Sequence, residues 1–169
     1  MKKIILIGYM GSGKSTIGKI VADSLQLPFI DLDLHIEDIT QLTISEIFQD
    51  KGEIFFRKLE HTILKELIEE SQSFVLSLGG GTPCYANNHL LLQQPHVKSF
   101  YLKANINTLE SRLKLEMNHR PLLNNVTNLK SFIGQHLFER SYFYNYAQHT
   151  VFVDNKSPIT IAKEIIDLA

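Results

Sequence analysis

The sequence predicts an α/β fold: a single parallel sheet of about five strands covered by helices on both faces. Three observations predict it. Short apolar, β-branched runs alternate with longer amphipathic stretches. No repeat, low-complexity tract or Pro/Ser-rich linker breaks that alternation. A glycine-rich loop joins the first apolar run to the first amphipathic stretch, the place where a parallel α/β sheet holds phosphate. The length of 169 residues suits one domain with a sizeable core, here residues 1–169.

Taken in order, strands are expected at 3–7, 28–31, 74–78, 97–102 and 150–153, where the apolar, β-branched runs are short. Helices are expected near 15–25, 53–70, 108–115, 129–146 and 159–168. Leu59, Ile63 and Leu67 recur at a spacing of four, as one buried helix face requires. Three loops interrupt the pattern, at 8–13, 79–83 and 116–127. The first two follow strands directly and so fall on the ligand-binding edge of an open parallel sheet. The third is long and polar between two helical patterns, which suits a lid.

Composition narrows the function. The net charge of −1 recruits neither nucleic acid nor an anionic membrane, so neither is an expected partner. An anionic ligand must be held by local geometry. The single cysteine, Cys84, excludes an internal disulfide. The apolar run Ile4 to Ile7 stops after four residues at Gly8, too short for a signal segment or a membrane span. A cytoplasmic monomer is the expectation.

Gly8-Tyr-Met-Gly11-Ser12-Gly13-Lys14-Ser15 matches G-x-x-x-x-G-K-[ST] between a strand and a helix. Glycines let the backbone curl until its N–H groups face a phosphate, and the helix N-terminus adds its positive end. Lys14 is placed to reach the β- and γ-phosphates, and the Ser15 hydroxyl to ligate Mg²⁺. Gly11, Ser12, Gly13, Lys14, Ser15 and Thr16 are the candidate phosphate contacts, with ATP as co-substrate and Mg²⁺ as cofactor. The guanine-reading N-K-x-D is absent, since Asn155-Lys156-Ser157 runs into Pro158, and the chain is too short for an oligomeric ATPase's accessory domain. A small-molecule kinase is favoured.

Further features converge on the same edge. Asp31-Leu32-Asp33 closes the second strand, and alternation sends the two carboxylates to different partners: one to a metal-bound water, the other to an acceptor hydroxyl. A helix N-cap is the competing explanation. Gly79-Gly80-Gly81 is costly in backbone entropy, which argues for close ligand approach over a strained turn. Arg57 and Glu60 share a helix face at spacing three, as an ordinary surface ion pair also would. Arg120 sits in the 116–127 loop and Arg140 on the following helix. The seven histidines show no metal-ligand spacing.

Together these residues resemble the shikimate kinase family nearly end to end. The carrying motifs are the P-loop through Thr16, Asp31-Leu32-Asp33, the stretch Gly52-Glu53-Ile54-Phe55-Phe56-Arg57-Lys58-Leu59-Glu60, the glycine triplet, Arg120-Pro121-Leu122-Leu123 and Glu139-Arg140. The resemblance implies a P-loop kinase fold and phosphorylation of the 3-hydroxyl of shikimate, a step toward chorismate and aromatic amino acids. It implies shikimate binding by Asp33, Arg57, Gly79, Gly80, Gly81 and Arg140, with the arginines on the carboxylate. Phe48 and Phe56 would pack on the ring, and Glu60 would orient Arg57. Lys14, Asp33 and Arg120 would be catalytic, and Ser15 with Asp31, through water, would attend the Mg²⁺. Adenine would lie between an arginine near the lid and the loop at 156–158. The family's usual position for that arginine holds Leu113 here, one residue after Arg112. A related gluconate or nucleotide kinase, and a nucleotide-binding module without turnover, are the alternatives.

Overall fold

In a computed structural model of the chain, which describes residues 2–116 and 126–169, five parallel strands form one sheet in the order β2-β3-β1-β4-β5. The elements run β1 (Lys3–Ile7), α1 (Lys14–Leu25), β2 (Phe29–Asp31), α2 (Leu32–Thr40), α3 (Ile44–Glu69), β3 (Phe74–Ser77), α4 (Asn88–Leu91), β4 (Val97–Lys103), α5 (Ile106–Glu116), α6 (Leu129–Tyr144), β5 (His149–Phe152) and α7 (Pro158–Leu168). A 3₁₀ turn at Thr82–Cys84 follows β3. Successive side chains of a strand point to opposite faces, yet every residue of β1 and β3 is buried. Both faces of the sheet are therefore covered, as near-continuous apolar strands require.

Strand order fixes where a ligand can sit. From β1 the chain leaves toward β2 on one side; from β3, β1's neighbour, it leaves toward β4 on the other. A crevice opens between two such strands at their carboxyl ends. The loops after β1 and β3 flank it, and the Leu78 amide donates to the Leu6 carbonyl at 3.0 Å to hold the two strands level there.

Three elements differ from the sequence reading. Asp33 does not close a strand: β2 ends at Asp31 and α2 begins at Leu32, with Leu32 and Ile36 buried one turn apart. The two aspartates are separated by a helix start, not by strand alternation. Asp31 occupies the N-cap position, but its side chain makes no capping bond. Next, α3 starts at Ile44, nine residues before the expected helix, behind a Thr43–Glu46 capping box. Gly52 interrupts it with φ 80°, ψ 169°, a conformation costly for any residue with a Cβ. Finally, the buried residues of α3 are Ile47 before the break and Phe56, Glu60, Ile63, Leu64, Leu67 and Ile68 after it, with Leu59 at the margin.

Candidate active site

The crevice is a cavity of about 960 Å³ lined from both loops, from α2 and α3, and from α5, α6 and the start of α7. At its phosphate end, Gly13 stands in the left-handed region and ends the loop as α1 begins with Lys14. The Lys14 ammonium donates to the carbonyls of Gly8 (2.8 Å) and Tyr9 (3.1 Å), which bends its stem back over the loop. Ser15 Oγ donates to Asp31 Oδ2 at 2.8 Å, so hydroxyl and carboxylate form one oxygen-rich corner. Gly11, Gly13, Lys14, Ser15 and Thr16 all line the cavity. Ser12 is placed differently. It is buried, its amide donates to Tyr9 O at 3.1 Å, and its hydroxyl has no hydrogen-bond partner among the described residues.

Away from the phosphate loop, the same cavity gathers Asp31, Asp33, Arg57, Gly79, Gly80, Gly81 and Arg140, with Phe48 and Phe56. The two phenyl rings lie 4.8 Å apart. Burial pushes the Asp33 carboxyl up to about 6, helped by the charges of Asp31 and Glu60 and opposed by Lys14 and Arg57. Arg57 donates to Glu60 Oε2 at 2.9 Å, and its guanidinium lies 4.0 Å from the Tyr85 ring centre. That pair is no surface ion pair, because Glu60 is only 1% exposed. Arg140 lies 5.5 Å from the Tyr9 ring centre, and Tyr144 donates to Gly80 O at 2.6 Å.

The glycine triplet has no residue in the left-handed region, so backbone strain does not account for it. Close approach does. A Cβ on Gly79 would sit 3.0 Å from Asp33 Oδ1, and one on Gly81 would sit 3.0 Å from an Arg57 guanidinium nitrogen. Of the two residues weighed for adenine, Leu113 is fully buried, while Arg112 lines the cavity and donates to Gly11 O at 3.0 Å. Lys156 and Pro158 line the same cavity, Lys156 bridged to Glu164 at 2.7 Å. Arg120 and most of the 116–127 loop lie outside the described residues.

Several contributors were not singled out from the sequence. Tyr9, in a variable position of the P-loop, is buried with its hydroxyl 2.9 Å from His136 Nδ1. Burial pushes its phenol up to about 12 against the pull of Arg140. Tyr144 is likewise buried against the triplet, and its phenol is raised by burial. Thr82 and Asn88 support Glu60 from behind. Only their tertiary partners distinguish these side chains from core filling.

A phosphate loop facing carboxylates and arginines across one switch-point cavity defines a P-loop phosphotransferase. The sequence model of the family described as "Shikimate kinase" matches residues 10–169. The chain belongs to the shikimate kinase family. A curated shikimate kinase of Flavobacterium psychrophilum is 52% identical, with 98% of this chain and 97% of that relative covered. The crystal structure of shikimate kinase from Bacteroides thetaiotaomicron superposes with a TM-score of 0.89 at 35% identity, covering 99% of this chain and 97% of that one. Shikimate kinase from Acinetobacter baumannii in complex with shikimate superposes with a TM-score of 0.88 at 32% identity, covering 99% and 92%.

Proposed function

We propose that this chain transfers the γ-phosphoryl group of MgATP to the 3-hydroxyl of shikimate. The observation that carries the reading is the single cavity in which Lys14 and the phosphate loop face Asp33, Arg57 and Arg140. Two arginines suit a carboxylate, since a planar guanidinium offers paired donors in fixed geometry. Asp33 accepts a hydrogen bond from the attacking hydroxyl and holds it in line. Its raised proton affinity also suits it to take that proton. Phe48 and Phe56 shape the apolar wall against the ring. Lys14, released from the loop carbonyls, meets the β- and γ-phosphate oxygens, and Arg120 meets the transferring group.

The corner formed by Ser15 Oγ and Asp31 Oδ2 offers the hard oxygen donors that Mg²⁺ prefers, beside the place where phosphates lie. Bound there, Mg²⁺ neutralises charge on the phosphates. Ser15 would hold it directly and Asp31 through water. Arg112 and the Lys156–Pro158 segment flank the position left for adenine. In this reading residues 1–169 act as one domain and residues 116–127 serve as its lid.

The test is an acceptor panel. ADP release is followed with ATP and shikimate, and in parallel with gluconate and with AMP. Shikimate is expected to support turnover at least ~100-fold faster in kcat/KM, the discrimination a site built around specific polar contacts provides. Comparable rates with gluconate or AMP would assign the cavity to another acceptor. No turnover with any acceptor would favour a binding module.

A further inference from the structure

We propose that Thr82 is a positioning residue for the acceptor carboxylate, acting through Glu60 on Arg57. The inference rests on the reading of Arg57 as a carboxylate ligand. Thr82 is fully buried in the 3₁₀ turn after the glycine triplet. Its hydroxyl donates to Glu60 Oε1 at 2.6 Å, while Arg57 donates to Oε2 of the same carboxylate at 2.9 Å. Each oxygen of a carboxylate that is 1% exposed therefore has its own donor, and the two donors come from different elements.

The turn that presents Thr82 is itself tied to α3. Asn88 donates from Nδ2 to the Thr82 carbonyl at 2.9 Å, and its Oδ1 lies 2.7 Å from Nδ1 of His61, the residue after Glu60. Among the described residues, Arg57 has little other polar contact to fix its rotamer. Its buried Nε makes no hydrogen bond among the described residues, only a 3.5 Å contact to a carboxylate oxygen of the half-exposed Glu53. Tyr85 and Gly81 confine the guanidinium in the direction of its face. Rotation of Glu60 is what would let it swing. The Thr82 hydroxyl opposes that rotation, because losing it would leave a buried carboxylate oxygen without a donor.

The experiment compares Thr82→Val, which keeps the volume and removes the hydroxyl, with Thr82→Ser, which keeps the hydroxyl. Removing one hydrogen bond to a buried charge should raise the shikimate KM of Thr82→Val by about 10-fold, with the ATP KM and kcat within about 2-fold. Thr82→Ser should stay close to wild type. A merely structural role would move both substrates' KM together, or would show equally in the serine variant. Thr82→Ala carries the same expectation should the valine variant not fold. A cycle with Glu60→Gln adds a second reading: the double variant should be no worse than the worse single one, as residues acting in series behave. Arg57→Ala separates the two levels. If Arg57→Ala leaves the shikimate KM unchanged, the carboxylate-ligand reading fails. If Arg57→Ala impairs shikimate binding but Thr82→Val does not, or if the Thr82 and Glu60 effects multiply, only the role of Thr82 is overturned.

Discussion

Asp33 shows how one side chain's surroundings set its chemistry. Burial and two neighbouring carboxylates raise its proton affinity, so it is largely protonated below about pH 6 and ionised above. The folded-state value lies above the unfolded one. The stability linked to this group is therefore fully present below the unfolded value near pH ~4 and is lost as pH rises through about 6. Asp33→Asn should raise the melting temperature of the ligand-free protein at pH 8, with the gain shrinking toward pH 4. A gain that is constant across pH, or larger in acid, would contradict the placement. In catalysis the same variant should lose ~10²–10⁴-fold in kcat. The wild-type acid limb of kcat/KM for shikimate, expected near pH 6, should disappear with it. The sequence made Asp33 visible as a chemical group, through its neighbour Asp31 and the P-loop context. It could not reveal that Asp33 begins a helix, because residues 31–33 have the same pattern whether extended or at a helix start. Nor could it reveal the value near 6, which comes first from burial in the fold and then from Asp31 and from Glu60, 27 positions away in sequence.

At the scale of elements, α3 joins two tasks across a break. Its first segment carries Phe48, its second carries Phe56, Arg57 and Glu60, and Gly52 turns one onto the other. A Cβ at Gly52 meets nothing within 4 Å, so a substitution there is penalised through backbone conformation alone. Gly52→Ala should cost about 1–2 kcal/mol in urea unfolding with an unchanged m value. It should also raise the shikimate KM more than the ATP KM, because Phe48 moves relative to Phe56. Unchanged stability would mean that residue 52 tolerates its conformation without glycine. The second segment was legible from its apolar spacing, whereas the first was not singled out. Its start signal was nonetheless present, in Thr43-Ile-Ser-Glu46, whose side chains form the capping box. The glycine triplet was read as a place of close ligand approach; what the structure brings close to it are this protein's own side chains, Asp33, Thr82 and the two arginines.

For the whole molecule, the alternation of short apolar runs and helical patterns sufficed to predict a five-stranded parallel sheet, since each β-to-β crossover needs a helix. The strand order β2-β3-β1-β4-β5 was not predictable from that pattern, yet it places the loops after β1 and β3 side by side. Residues from opposite ends of the chain, Lys14 and Arg140, thereby share one cavity. In the proposed function, specificity for a carboxylate-bearing acceptor would depend on charge pairs at one end, and phosphate binding on a backbone loop at the other. The two should be separable by mutation. The direct test is titration calorimetry of shikimate and of ATP into the wild-type protein, Arg57→Ala and Arg140→Ala. Loss of one partner from a buried charge pair costs about 2–5 kcal/mol, or roughly 30- to several-thousand-fold in affinity. That loss is expected for shikimate in both variants, with ATP affinity changed by no more than a few-fold. Wild-type shikimate affinity in both variants would contradict the assignment of this end of the cavity to the acceptor.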